Sequence, residues 1–110
     1  KYNVKIGTML HAGDGNLHPN ILFDAREPGI MDTVIKASNE ITRRCVDMGG
    51  TITGEHGVGL EKQELMTWMF SDADLRQMRL LRAAFDPQGL MNPGKVFPRD
   101  KAEVGAAHAA

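Results

Sequence analysis

The feature that most constrains this chain is a change in the spacing of its apolar residues. Between residues 4 and 10, Val4, Ile6 and Leu10 alternate with other side chains, which predicts a β-strand with one buried face. From residue 30 the apolar positions instead recur every three or four residues, which predicts a helix over residues 30–48 that ends at Gly49-Gly50. That apolar stripe consists of Ile30, Val34, Ile41, Cys45 and Met48.

Two further short runs are typical of strands. Residues 20–24 are mostly apolar and bounded by proline and polar residues, so we expect a second strand that pairs antiparallel with the first. Residues 51–53 are all β-branched and predict a short third strand. Strands interleaved with helices predict an α+β fold, with helices packed against one face of an antiparallel sheet.

The second half of the chain predicts two helices. The first covers residues 60–70, and Ser71, three residues before Asp74, opens the second as a variant of the capping box. Its expected apolar stripe is Leu75, Met78, Leu81 and Phe85. Turns follow at residues 86–89 and 92–95, and residues 99–110 are expected to form a flexible tail.

Composition excludes several classes of protein. The chain has 110 residues, enough for one domain, and a net charge of -1 without a basic block, which argues against a nucleic-acid binder. It has neither a membrane-spanning apolar run nor a secretory signal. The single cysteine, Cys45, lies in a helical stripe and is expected to be a buried thiol in a reducing, cytoplasmic compartment. Because the chain begins without Met, we expect a fragment of a longer protein.

Histidines concentrate in two glycine-rich segments. His11 and His18 bracket the first, so a hairpin would bring both imidazoles to its rim, and Glu55 and His56 lie in the second. Two imidazoles and a carboxylate suit zinc, manganese or ferrous iron, with positions left open for water or substrate. If the second segment is extended, its neighbours point to opposite sides. One of Glu55 and His56 would then be a ligand, and the other would be free to move protons.

Simpler interpretations compete with each of these assignments. The two histidines of the first segment could be ordinary loop residues, with Gly13 and Gly15 permitting a tight turn and Asp14 stabilising it. Lys95 could contact an anionic ligand or be a solvated turn lysine, and the sequence favours the solvated lysine. Four residues that could be mistaken for an aromatic cofactor box are assigned to packing instead: Met66, Trp68, Met69 and Phe70.

Three separated segments carry a resemblance to a known family: residues 11–19 (HAGDGNLHP), residues 53–59 (TGEHGVG) and residues 85–96 (FDPQGLMNPGKV). Together they resemble the C-terminal part of the FAD-linked 2-hydroxy acid dehydrogenases of the vanillyl-alcohol oxidase superfamily. Within that family, the resemblance extends to the FAD-binding subunits of bacterial glycolate oxidases and to D-lactate and D-2-hydroxyglutarate dehydrogenases. The match runs in order from about residue 4 to residue 98.

The resemblance implies a fold and a set of site residues. Residues 1–98 would form part of a ferredoxin-like α+β cap over a flavin that a preceding domain holds. The implied roles are metal ligation by His11, His18 and Glu55, proton abstraction by His56, and contact with flavin or substrate by Asn16 and Asn92.

The implied activity is oxidation of a small 2-hydroxy acid, either glycolate to glyoxylate or D-lactate to pyruvate. It would require FAD, a divalent metal (Zn, Mn or Fe), the upstream domain and other oxidase subunits, in the cytoplasm or at the inner membrane face. The fragment alone is expected to be inactive and to self-associate. The alternative is a stand-alone α+β module that binds a metal or a hydroxy acid without catalysis.

Overall fold

The computed structural model describes residues 1–99 and divides the chain into two compact units. The first unit is Lys1–Gly54, and the second begins at Glu55. The described elements are a two-stranded antiparallel sheet, two α-helices and a short 3-10 helix, which confirms the α+β prediction. All but the first residue of the expected flexible tail, 99–110, lies outside the described residues.

The first unit begins with a β-hairpin. Strand β1 is Lys5–His11 and strand β2 is Asn16–Leu22, so the second strand begins and ends earlier than the predicted 20–24. The prediction was wrong because Pro19 was taken to end a loop. In a two-stranded sheet each strand has an outer edge, where the missing N–H of a proline costs no ladder hydrogen bond.

Helix α1 is Ile30–Asp47, one residue shorter than predicted, and it ends at the expected glycine pair. Gly49 has a φ of 89°, and the Gly50 N–H donates to the Cys45 carbonyl over 2.9 Å. A Cβ on Gly50 would lie 2.6 Å from Cys45 Sγ, so the close packing of this helix end requires glycine there.

The inner face of α1 is centred on Ala37, which is buried, and Val34 and Ile41 are half-buried. Cys45 is exposed, so the prediction of a buried thiol is wrong. It lies in the last turn of α1, which packing within residues 1–99 leaves uncovered. Met48, the last residue of the predicted stripe, is 86% exposed as well, so helical spacing predicted the inner face at Val34 and Ile41 but not how far along the helix the packing extends.

The predicted third strand does not form among the described residues. Ile52 is buried, but the Thr51 hydroxyl donates to the Thr53 carbonyl over 2.6 Å. This local hydrogen bond accompanies a bend at Ile52. β-Branched composition therefore indicated burial at this point and not strand pairing.

The segment predicted as a helix, residues 60–70, contains a short 3-10 helix, Glu64–Trp68. Turns over residues 59–63 precede it. Within this 3-10 helix the Thr67 hydroxyl donates to the Glu64 carbonyl over 2.8 Å. Packing is confirmed for Met66, which is buried, and Met69 is 36% exposed. The other two residues of that group, Trp68 and Phe70, are half-buried.

Helix α2 is Asp72–Phe85 and begins with the predicted capping box. The Asp74 N–H donates to the Ser71 hydroxyl oxygen, and the Ser71 N–H donates to the Asp74 carboxylate. Of the expected apolar stripe, Leu75 is buried and Met78 half-buried, but Leu81 and Phe85 are 65% and 77% exposed. The stripe prediction is therefore wrong for the C-terminal half of α2.

Both strands of the hairpin expose large apolar side chains. Every residue of β1 is exposed. The exposed apolar side chains of the hairpin are Ile6, Met9, Leu10, Leu17 and Leu22. A two-stranded sheet with so few packed neighbours is marginally stable by itself. Exposed apolar side chains favour association between copies of the chain, and the expected self-association stays a prediction. Within residues 1–99, no helix is long and apolar enough to cross a membrane.

Candidate metal centre

The hairpin brings His11 and His18 together. His11 pairs with Asn16 beside the turn, and His18 pairs with Met9, two residues before His11. Positions two apart on a strand share a face, so the two imidazoles are diagonal neighbours on one side of the sheet. Their ring centroids are 5.3 Å apart and their planes are nearly perpendicular, at 83°.

The turn that fixes this register is short. Residues 12–15 form it, the Asp14 N–H donates to the His11 carbonyl over 3.0 Å, and Gly15 has a φ of 67°. The positive φ of Gly15 agrees with its expected role in a tight turn, and the stabilising role of the Asp14 side chain stays a prediction. The turn does not compete with a role for the histidines, because it is what places them side by side.

Glu55 contributes a third donor atom. One ligand atom each from His11, His18 and Glu55 lies within 4.8 Å of the other two. Metal–ligand bonds of about 2.0–2.2 Å place two ligands of one ion no more than about 4.4 Å apart, so small side-chain rotations would complete the set. His18 is half-buried and the other two are exposed, so an ion bound there would remain accessible to a small molecule.

Gly54 explains how the chain reaches this position. A Cβ on Gly54 would lie 2.7 Å from Asn16 Cγ, so the backbone passes directly against the Asn16 side chain. Only glycine permits that approach, and the next residue along the chain is Glu55. Asn16 is half-buried and is the register partner of His11. The sequence gives no signal for this close approach beyond the presence of a glycine.

His56 is not one of the three clustered donors. Its Nε2 lies 3.7 Å from Glu55 Oε1, and both side chains are more than half exposed. Neighbours in an extended segment would point to opposite sides, but residues 54–56 bend, and the two side chains lie next to each other. The geometric premise that separated Glu55 from His56 is therefore wrong.

Asn92 lies in a different local setting, a loop of the second unit. It has a φ of 48° and is exposed. The Arg82 guanidinium donates to the carbonyls of Met91, Asn92 and Lys95 over 2.6, 3.0 and 3.2 Å. One arginine from α2 therefore holds three carbonyls of residues 91–95, which we call the 91–95 loop.

Asp86 holds the beginning of the same loop. Its carboxylate accepts the backbone N–H groups of Leu90 and Met91, each over 2.8 Å. These bonds, chiefly the one from Met91, hold the pKa of Asp86 below its usual value. Sequence reasoning missed both anchors because a charged residue at the end of a helix is also typical of a solvated surface.

Comparison with known proteins places this chain in a family. The family model described as "FAD linked oxidases, C-terminal domain" matches residues 1–96. The glycolate oxidase subunit GlcD of Escherichia coli K12 is 44% identical over 98% of the chain and 22% of that protein. The Bacillus subtilis GlcD is 45% identical over 91% of the chain and 21% of its own length.

A third relative is D-lactate dehydrogenase [cytochrome] 1, mitochondrial, of Saccharomyces cerevisiae, which is 39% identical over 84% of the chain and 16% of its own length. The chain thus spans about a fifth of the length of the glycolate oxidase subunits it matches. Because the family model covers nearly the whole described chain, this protein belongs to the family of the C-terminal domain of FAD-linked oxidases.

Proposed function

We propose that this chain supplies the metal ligands and a histidine base of an FAD-dependent enzyme that oxidises a small 2-hydroxy acid. The substrate is glycolate, giving glyoxylate, or D-lactate, giving pyruvate. The observation that carries the proposal is the clustering of His11, His18 and Glu55, in a chain that belongs to an FAD-linked family and is similar to subunits of glycolate oxidase.

The donor set supports a divalent transition metal. Two imidazole nitrogens and one carboxylate oxygen suit zinc, manganese or ferrous iron, whereas calcium and magnesium prefer oxygen ligands alone. Three protein ligands leave coordination positions open, as in catalytic sites. When bound, such an ion would act as a Lewis acid that lowers the pKa of the substrate hydroxyl.

His56 is the group that we assign to proton transfer. It adjoins Glu55 and is exposed, so its ring can rotate toward a hydroxy acid without first breaking a packed core. In this proposal its Nε2 accepts the hydroxyl proton as the hydride leaves the α-carbon. General-base assistance of this kind contributes about 10²- to 10⁴-fold to a rate.

FAD would accept that hydride, and a domain outside this chain would hold most of the cofactor. Asn16, beside His11 in the sheet register, and Asn92, in the 91–95 loop, are proposed to contact the flavin or the substrate. We also propose that the enzyme works in the cytoplasm together with other oxidase subunits. A lone cysteine, exposed in α1, is compatible with that reducing compartment.

The test uses single-turnover reduction of the flavin in a protein that joins this chain to a flavin-binding domain. Glycolate and D-lactate are each mixed with the oxidised protein, and bleaching of the flavin is followed by absorbance. We expect reduction by at least one of them, and a His56→Ala variant that is about 10²- to 10⁴-fold slower with unchanged metal and flavin content.

The isolated 110-residue chain serves as the comparison. It is expected to bind little FAD and to leave both acids unchanged. If this chain binds metal but the joined protein reduces no flavin with either acid, the stand-alone binding module is the better description. Equal reduction rates in His56→Ala and wild type would remove His56 from the mechanism, and loss of metal in that variant would make it a ligand.

A further inference from the structure

The two outer edges of the β-hairpin differ in the backbone groups that they offer. Cross-strand pairs in an antiparallel ladder alternate between pairs that exchange two hydrogen bonds and pairs whose N–H and C=O groups face outward. Pro19 pairs with Thr8 and has no N–H, so this pair is of the outward-facing kind. The orientation repeats every second residue, so the backbone groups of Ile6 and Leu10 also face outward from β1.

The outer edge of β1 is open. Every residue of the strand is exposed, and within residues 1–99 the structure records no hydrogen bond to the outward backbone groups of Ile6, Thr8 and Leu10. On the outer edge of β2, Pro19 lies near the centre and lacks the donor that a further strand would need. An incoming strand can therefore form a continuous ladder with β1 but not with β2.

One face of the hairpin next to this open edge is apolar. Cross-strand partners share a face, so Leu17 lies on the same side as Ile6 and Leu10. This side is opposite the one that carries the two histidines. Ile6, Leu10 and Leu17 are 47%, 52% and 60% exposed. A strand that added to β1 would cover Ile6 and Leu10, whereas Leu17 lies one strand further from it.

We propose that β1 pairs antiparallel with β1 of a second copy of this chain, about a two-fold axis at Thr8. In this register Ile6 faces Leu10 of the second copy, and the symmetry forms that apolar pair twice. All of Lys5–His11 overlaps with itself, and every other antiparallel register pairs fewer residues of the strand. Because Pro19 interrupts the other edge of the hairpin, association stops at a dimer.

The interface is small, so the dimer is weak. A single ladder of this length involves fewer residues than the roughly 20–30 per side of a standard protein interface. A net charge of -1 opposes the approach of two copies only slightly. We therefore expect a dissociation constant of about 0.1–1 mM. This interface requires no metal, flavin or hydroxy acid, so it stands or fails independently of the proposed function.

The experiment is sedimentation equilibrium of the 110-residue chain between about 0.02 and 2 mM, with amide hydrogen exchange measured at both concentrations. We expect a monomer–dimer equilibrium. At the higher concentration the amides of Ile6, Thr8 and Leu10 should exchange about three- to sevenfold more slowly, because they exchange only from the monomer. The outward amides of Leu17 and Ile21, on the edge of β2, should exchange at the same rate at both concentrations.

Two substitutions test the position of the interface. Leu10→Lys places a charge opposite Ile6 of the second copy. Thr8→Pro removes the central donor of the open edge and leaves the ladder of the hairpin intact, because that N–H faces outward. Each should weaken dimerisation by at least about tenfold. Leu17→Lys is the matched control, since it adds the same charge on the same face directly across the hairpin from Leu10, and it should weaken dimerisation by less than about twofold.

Several results would overturn the proposal. A chain that stays monomeric over the whole concentration range has no such interface. Equal weakening by Leu17→Lys and Leu10→Lys would show that the copies associate through their apolar faces and not through the β1 edge. Assemblies larger than a dimer, or equal slowing of exchange on both edges, would show that Pro19 does not block the β2 edge.

Discussion

The hairpin and the 91–95 loop both present functional candidates, but they are positioned by different interactions. The hairpin places His11 and His18 through its backbone ladder, and the register alone decides that they share a face. Within residues 1–99 the 91–95 loop belongs to no ladder. Arg82 holds its carbonyls, and Asp86 holds the N–H groups of Leu90 and Met91 at its start.

The difference shows where a site is robust and where it depends on single residues. In the hairpin, many backbone hydrogen bonds together fix the positions of His11 and His18. Replacing one of these side chains should therefore remove a ligand without moving its neighbours. In the loop, one substitution removes several anchoring bonds at once. The two regions should therefore respond differently to mutation and to pH.

The largest expected effect is loss of metal binding when one hairpin ligand is removed. His11→Ala and His18→Ala should each lower the affinity of the chain for Zn²⁺ or Mn²⁺ by more than about 100-fold. Removing an outer hydrogen-bond partner of a ligand typically costs 10- to 100-fold, and removing the ligand itself should cost more. Isothermal titration calorimetry on the 110-residue chain measures the change.

The control for these variants is His108→Ala, which removes a histidine far from the cluster in sequence and should leave the affinity unchanged. Amide shifts across β1 and β2 should also persist in His11→Ala and His18→Ala, because the ladder does not depend on the imidazoles. Wild-type affinity in both variants would show that the histidines are only residues flanking a turn.

A smaller effect is expected when the loop loses its arginine anchor. Arg82→Met keeps most of the apolar stem but removes hydrogen bonds to three carbonyls, so it should destabilise the chain by about 1–3 kcal/mol. Urea unfolding gives the change in free energy, and hydrogen exchange should accelerate at the amides of residues 90–96.

Arg76→Met is the matched substitution for that measurement. Arg76 is exposed on the same helix, and no hydrogen bond of its side chain is recorded within residues 1–99. It should change the free energy of unfolding by less than about 0.5 kcal/mol. If Arg82→Met behaves like Arg76→Met, the carbonyl contacts do not hold the loop.

The same contrast explains what the sequence could predict. α1 and the capping box of α2 each depend on residues close together in the chain, so apolar spacing and the Ser71–Asp74 pair identified them. An antiparallel hairpin was also predicted, but its connection was expected over residues 11–19 and is residues 12–15. The convergence of His11 and His18 followed from the hairpin, because a ladder converts sequence distance into a definite register.

What could not be predicted depends on contacts between distant residues. Arg82 reaches the 91–95 loop across a helix end, and Gly54 packs against Asn16. The prediction of burial at the C-terminal ends of the helices also failed, because Cys45 and Phe85 are exposed. The spacing of apolar residues shows which side of a helix faces the core, but not how far along the helix the packed residues extend. Hydroxyl bonds at Thr51 and Thr67 lie in the two segments where the predicted strand and α-helix did not form.

The smallest expected effect is acid sensitivity confined to the loop. Asp86 has a lowered pKa, first because the Met91 N–H donates to its carboxylate. A carboxylate whose folded pKa lies below its unfolded value of about 3.9 contributes stability that is complete above that value. This contribution is lost as the pH falls through the folded pKa, because protonation weakens the bonds from Leu90 and Met91.

The effect of Asp86 must be measured at the loop itself and not by global unfolding. Asp74 in the capping box also has a lowered pKa and affects global unfolding at acidic pH. The amide shifts of Leu90 and Met91 should therefore be followed between pH 6 and pH 2, about two pH units on either side of the unfolded carboxyl pKa. They should titrate together in wild type and lose that transition in Asp86→Asn. Amides in the middle of the hairpin ladder, such as Gly7, should not follow the same transition, because their partners are backbone carbonyls that do not titrate. A hairpin that changes in parallel with Leu90 and Met91 in wild type would mean that both regions respond to one global transition, and the distinction between ladder and side-chain anchoring would then fail.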